Sequence, residues 1–88
     1  MTENSSGGVD PRLRNVFANV LSAETAQALR PSSSNEDVPG WDSQTFVAVV
    51  IGIEQEFAVR FSTLEAARMG SVDSIQQLLR EKGVALDT

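Results

Sequence analysis

The stretch from residue 43 to residue 57 constrains the fold most, because its apolar residues recur at the spacing of an α-helix. Asp42 directly precedes it and is a favoured N-cap residue. A repeat at i, i+4, i+7 and i+11 lines one face of a helix. That repeat is formed by Phe46, Val50, Ile53 and Phe57, and Val49 widens it. The pattern predicts a helix over residues 43–57 whose stripe, including Phe46, Ile53 and Phe57, is buried in a core.

Three further helices are predicted from their caps and apolar spacing. The first spans residues 11–22, with Asp10 as N-cap and Pro11 at the first helical position. A short helix follows Ser62 or Thr63 and runs to about residue 69, and the last helix follows Ser71 and stops at Gly83. Apolar residues expected to face inward are Leu13, Val16, Phe17, Val20, Leu21, Val59, Phe61, Val72, Ile75, Leu78 and Leu79.

The connection between the first two long helices is unusually long for a compact domain. Residues 23–29 could form one helical turn, but the rest of the connection is rich in serine and proline. Strand-type alternation is absent from the sequence. We therefore expect an all-α chain, a small four-helix bundle with a long first loop. Residues 1–9 are expected to be a disordered tail, residues 10–83 the domain, and residues 84–88 a flexible C-terminal tail.

Composition excludes several classes of function. The 88 residues include no histidine and no cysteine, which removes the commonest general base and the usual metal ligands, so we expect neither an enzyme nor a metal site. A net charge of −5 argues against binding to nucleic acid or to anionic membranes, although acidity can also serve solubility alone. The longest apolar run is too short to span a bilayer, and the first eight residues lack the pattern of a signal peptide. A cytoplasmic monomer is the expectation.

The pair Asp42-Ser43 is the principal candidate site. A serine hydroxyl beside an acid at a helix N-terminus lies where free N–H groups and the helix dipole favour a phosphate. Without histidine or cysteine, such a serine is better suited to covalent modification than to nucleophilic catalysis. An ordinary N-cap followed by an ordinary first-turn serine is the plainer alternative, because Asp-Ser pairs are common.

The context of the pair resembles the acyl carrier protein family over about residues 10–83. The residues that carry the resemblance are an Asp-Ser pair, an apolar helix, an acidic cluster and a phenylalanine before a short extended link. In this sequence they are Asp42-Ser43, residues 47–53, residues 54–56, Phe57 and residues 59–61. Trp41 before the pair is similar to free-standing carriers outside primary fatty-acid synthesis, which favours a specialised pathway.

The resemblance implies a bundle of acyl-carrier type and a covalent 4′-phosphopantetheine on Ser43. A phosphopantetheinyl transferase would attach this group, with Asp42 helping to position the serine and the transferase's metal. The arm's thiol would then hold acyl or aminoacyl thioesters, in fatty acid or polyketide biosynthesis, for acyl-activating, acyl-transferring and condensing enzymes. The family most often has Leu or Met after the serine, whereas this chain has Gln44, which affects the choice of transferase.

The same resemblance assigns partner docking to one side of the helix over residues 43–57. The docking residues implied are Gln44, Val47, Ala48, Ile51, Glu54 and Gln55. Val47 and Ile51 could equally be core, since they flank the buried stripe. Ala48 and Gln55 occupy positions where carriers often have acids, so docking is expected to rely less on salt bridges. Glu54 and Glu56 lie two residues apart and cannot converge on one metal ion.

Other serines fit the site less well. Asp73-Ser74 is a second Asp-Ser pair at a helix start, but it follows the capping Ser71, and too little chain remains after it for a bundle. Ser32, Ser33 and Ser34 have no preceding acid. The rival function is an unmodified small acidic helical module for protein–protein interaction.

Overall fold

The computed structural model describes residues 8–87, which form five helices and no β-strand. The helices are α1 (Pro11–Val20), α2 (Ala23–Gln27), α3 (Ser43–Phe57), α4 (Thr63–Ala66) and α5 (Val72–Glu81). The prediction of an all-α chain is confirmed. None of these helices is long and apolar enough to cross a bilayer, within the residues described.

The helix predicted over residues 11–22 ends two residues early, at Val20. It begins as expected, because the Asp10 carboxylate accepts hydrogen bonds from the backbone N–H groups of Arg12 and Leu13. Ser22 does not continue the helix, because its hydroxyl accepts from the Thr25 N–H and starts α2. The helical turn considered for residues 23–29 is therefore a separate short helix.

α3 has the predicted bounds, but its buried face is rotated slightly from the predicted stripe. Val49, Ile53 and Phe57 are buried, whereas Phe46 and Val50 are only partly buried. Phe46, which we expected to be buried, packs against the core with part of its surface exposed, whereas Val49, expected only to widen the stripe, is fully buried. Gly52 lets α1 approach closely, because a Cβ at this position would lie 2.8 Å from Val16 Cγ1.

The C-terminal half follows the predicted pattern with one shortened helix. α4 ends at Ala66 rather than near residue 69, and Met69 is fully buried in the turn that follows. Val59 and Phe61 pack against the core with part of their surface exposed. α5 buries its four predicted inward residues, Val72, Ile75, Leu78 and Leu79. Gly83 follows it with a φ of 86°, a conformation that glycine adopts without strain.

The long connection before α3 packs against the start of α5. Its backbone carbonyls at Pro31 and Ser33 accept hydrogen bonds from the N–H groups of Asp73 and Val72. These N–H groups belong to the first turn of a helix and have no partner within it. Leu29, Val38 and Trp41, all in this connection, are buried in the core. The connection thus completes both the core and the capping of α5.

The two ends of the described chain meet at Asp10. This buried carboxylate also accepts from the Asp87 N–H at 2.7 Å, and Arg12 donates to the Ala85 carbonyl at 2.7 Å. Burial acts to raise the pKa of Asp10, but the hydrogen bonds from Asp87 and Arg12 outweigh it and lower that pKa. Val9, which we assigned to the tail, is buried in the core. Residues 1–7 of the predicted N-terminal tail, and Thr88, lie outside the described residues.

Candidate functional site

Asp42 caps α3 with a dense set of hydrogen bonds. Its Oδ1 accepts from the backbone N–H groups of Gln44 and Thr45, both at 3.0 Å. The Thr45 hydroxyl accepts from the Asp42 N–H at 2.8 Å and closes a capping box. The same hydroxyl donates to the Gly40 carbonyl. Thr45 is not among the residues predicted for the site, although its position three residues after the cap is the signal that identifies a capping box.

These hydrogen bonds keep Asp42 ionised. The backbone N–H of Thr45, and then its hydroxyl, lower the pKa of the Asp42 carboxyl below its ordinary value. All the hydrogen bonds that this carboxylate accepts from the described residues end on Oδ1. Oδ2 accepts none of them and is part of an exposed side chain.

Ser43 is the first residue of α3 and is exposed. A groove of about 270 Å³ opens beside it. The walls of this groove come from the connection, α3 and the α4 turn, and include Trp41, Phe46, Ala66, Ala67 and Met69. We call this the serine groove. No pattern in the sequence predicts this groove, because α4 and the N-terminus of α3 are brought together only by the fold.

The second Asp-Ser pair has a different environment. Ser71 is the N-cap of α5, and its hydroxyl both accepts from the Ser74 N–H and donates to the Ser74 hydroxyl, each at 3.1 Å. Ser74 is half-buried. Its hydroxyl is thus held inside the cap of α5, whereas Ser43 presents its hydroxyl at an open helix end.

The outward side of α3 carries the predicted docking residues. Gln44, Val47, Ala48, Ile51 and Gln55 are exposed. Val47 is 56% exposed and Ile51 48%, so neither belongs to the core, which was the alternative for both. Glu54 is half-buried, and its carboxylate accepts from the Phe61 N–H at 2.9 Å, which fixes the link after α3. From Ser43 to Gln55 the exposed positions of α3 therefore carry no charged side chain.

Trp41 packs the connection onto α1. Its ring is 3% exposed and meets the Phe17 ring edge to face, with centroids 5.0 Å apart. Trp41 Nε1 is the one buried side-chain nitrogen or oxygen without a hydrogen-bond partner among residues 8–87. In the same part of the chain, no three acidic residues converge in a way that could hold a metal ion.

No model of a known protein family matches the chain, and no curated protein matches it.

Proposed function

We propose that this protein is an acyl carrier protein whose Ser43 bears 4′-phosphopantetheine. The observation that carries the proposal is the contrast between two serines that follow an aspartate. Ser43 is exposed beside an ionised Asp42 and an apolar groove, whereas the Ser74 hydroxyl is bonded within a cap. An exposed hydroxyl at the start of a 15-residue helix also suits a phosphodiester, because the helix dipole favours negative charge there.

The attachment reaction assigns a definite role to each residue. The Ser43 hydroxyl oxygen would attack the phosphorus of coenzyme A that carries the pantetheine. A Ser43 Oγ–P bond forms, the P–O bond of the pyrophosphate breaks, adenosine 3′,5′-bisphosphate leaves, and the serine proton passes to the transferase or solvent. Asp42 fixes the backbone of the first turn through Oδ1. Its remaining oxygen fits contact with the transferase's metal.

The arrangement of helices supports a bundle of acyl-carrier type. α2 lies within the long first connection, so α1, α3, α4 and α5 would correspond to the four helices that the resemblance implies. The thiol of the attached arm would supply the thioester chemistry that a cysteine-free chain lacks. Acyl-activating or acyl-transferring and condensing enzymes would perform the reactions on that thioester.

The exposed side of α3 is proposed as the docking surface for these enzymes. With a rise of 1.5 Å per residue, Val47 lies about 6 Å and Ile51 about 12 Å along the axis from Ser43. An enzyme that reaches the serine therefore covers both. The exposed positions of this side between Ser43 and Gln55 carry no charge, and the half-buried Glu54 is bonded to the Phe61 N–H. Docking is therefore proposed to depend mainly on apolar contact, with a rate that changes little with ionic strength. This chemistry suits a specialised pathway.

An unmodified interaction module is the second candidate, favoured by the exposure of Val47 and Ile51. Intact-mass measurement separates the two. The full chain is incubated with coenzyme A and a broad-specificity phosphopantetheinyl transferase, and the protein isolated from its native host is measured beside it. A mass gain of one phosphopantetheinyl group supports the carrier. If neither sample has the added mass, the interaction module is the better proposal.

A further inference from the structure

The hydroxyl of Thr45 links the first turn of α3 to the connection that precedes the helix. Thr45 is half-buried and is the third residue of α3. Its Oγ1 accepts from the Asp42 N–H at 2.8 Å, which is the ordinary bond of a capping box. The same hydroxyl donates to the Gly40 carbonyl, which lies outside the helix. The two bonds therefore reach the peptide groups on both sides of Trp41.

The turn that Thr45 contacts is itself fixed on the core. The Trp41 ring is buried and meets Phe17 of α1 edge to face. Gly40 precedes it with a φ of 86°, a backbone conformation that few residues other than glycine adopt without strain. The Asp42 N–H also donates to the Gly40 carbonyl, at 3.0 Å. The Thr45 hydroxyl therefore holds the start of α3 against a turn that the core already positions.

Thr25 provides a comparison within the same chain. It is the third residue of α2 and is also half-buried. Its hydroxyl accepts from the hydroxyl of the N-cap Ser22 at 2.9 Å. That bond stays within the first turn of α2, whereas the bond from Thr45 to Gly40 crosses from the helix to the connection. Thr25 thus supports a helix end, and Thr45 also sets where its helix begins.

We infer that Thr45 is a positioning residue for the modification of Ser43. The inference rests on the proposed function. Ser43 is the exposed first residue of α3, so the direction of its hydroxyl depends on the backbone of Asp42, which the Thr45 hydroxyl holds. The docking side of α3, with Val47 and Ile51, does not depend on this bond. Loss of the Thr45 hydroxyl should therefore lower kcat of the transferase and leave KM for the carrier nearly unchanged.

Thr45→Val removes the hydroxyl and keeps the shape of the side chain. Modification rates are measured with coenzyme A in excess and the concentration of the carrier varied. We expect kcat to fall about threefold to tenfold, the factor that corresponds to one hydrogen bond. Thr45→Ser keeps the hydroxyl and should restore the wild-type kcat. Thr25→Val makes the same change at the same position of α2 and should leave kcat unchanged, even where its thermal midpoint falls as far as that of Thr45→Val.

Hydrogen exchange of the Asp42 amide tests the geometry without a transferase. In the unmodified protein this amide should exchange more slowly than that of an unstructured peptide, because the Thr45 hydroxyl accepts from it. Exchange should be faster in Thr45→Val and unchanged in Thr45→Ser. A wild-type Asp42 amide that exchanges as fast as that of an unstructured peptide would overturn the inference, even if Thr45→Val failed to fold.

The inference and the proposed function fail in different ways. A wild-type chain that gains no mass would overturn the proposed function and the inference with it. Full modification with the same kcat in wild type and Thr45→Val would overturn the inference and leave the carrier intact. An equal loss of kcat in Thr45→Val and Thr25→Val would also overturn it, because the loss would then follow from lower stability and not from the position of Ser43.

Discussion

The N-termini of α3 and α5 carry the same dipeptide, Asp-Ser, in two different registers. At α3 the aspartate is the N-cap and Ser43 is the first helical residue. At α5 the cap is Ser71, so Asp73 and Ser74 are the second and third helical residues. A shift of two positions along a helix turns a side chain by about 200°, which changes the direction in which each hydroxyl points.

The two helix ends also differ in what covers them. Carbonyl oxygens of the connection before α3 accept hydrogen bonds from the first N–H groups of α5, and Ser34 pairs with Ser71 in an isolated bridge. The start of α3 has no such cover, and the serine groove opens beside it. In this chain the pair whose aspartate is the cap leaves its serine exposed, whereas the pair inside the first turn of α5 has a half-buried serine.

Removal of the Ser43 hydroxyl should have the largest effect. In Ser43→Ala we expect no mass gain on incubation with transferase and coenzyme A, because the attacking oxygen is absent. Ser74→Ala should be modified as fully as the wild type. If Ser43→Ala is still modified, the two helix ends are not distinguished in the way the structure suggests.

The second-largest effect is expected from the aspartates of the two pairs, whose replacement should change the modification rate to different extents. Asp42→Ala removes the cap of α3 and the free carboxylate oxygen beside the serine, so the initial rate of modification should fall at least tenfold and the thermal midpoint by a few degrees. Asp73 is exposed within the first turn of α5, and Asp73→Ala should scarcely change the rate. Equal modification rates in the two variants would show that Asp42 has no special role in the modification of Ser43.

The caps can also be compared through stability alone. Ser71→Ala removes the side chain that accepts from the Ser74 N–H and should lower the free energy of unfolding by about 0.5–2 kcal/mol. Its modification rate should match that of the wild type, because α3 keeps its own cap. Denaturant titration and mass measurement on the same sample check both expectations, and slower modification would show that the two ends are coupled.

Gln44 is expected to give the smallest change in stability. The residue after Ser74 is the buried Ile75, whereas the residue after Ser43 is an exposed glutamine. Gln44→Leu should speed modification by common transferases and change the free energy of unfolding by no more than about 0.5 kcal/mol. Gln77→Leu, at an exposed position of α5, is the control. A rate that does not rise would show that the transferase does not read position 44.

Much of the fold follows from the sequence because the signals are local. The helix bounds of α3 depend on Asp42 and on an apolar repeat, and both act within a few residues. The sequence predicts the four apolar residues on the inward face of α5, because they recur at helical spacing. It does not predict the buried Gln76, whose amide oxygen accepts from the Asp10 N–H far away in the chain. Less regular segments were predicted less well, as the early end of α4 shows. In that segment Met69 is buried, but it lies in the turn after the helix and not in the helix itself.

The sequence by itself determined that the chain is helical and that α1 and α3 begin after Asp10 and Asp42. It also determined that Ser43 is the first residue of the most apolar helix. The tertiary structure decided which face of α3 is buried, because Val49 and not Phe46 lies at the centre of the contact. It also decided which Asp-Ser pair stays open, and it created the serine groove. Those outcomes depend on residues far apart in the chain, such as Trp41 and Met69, whose proximity no local pattern encodes.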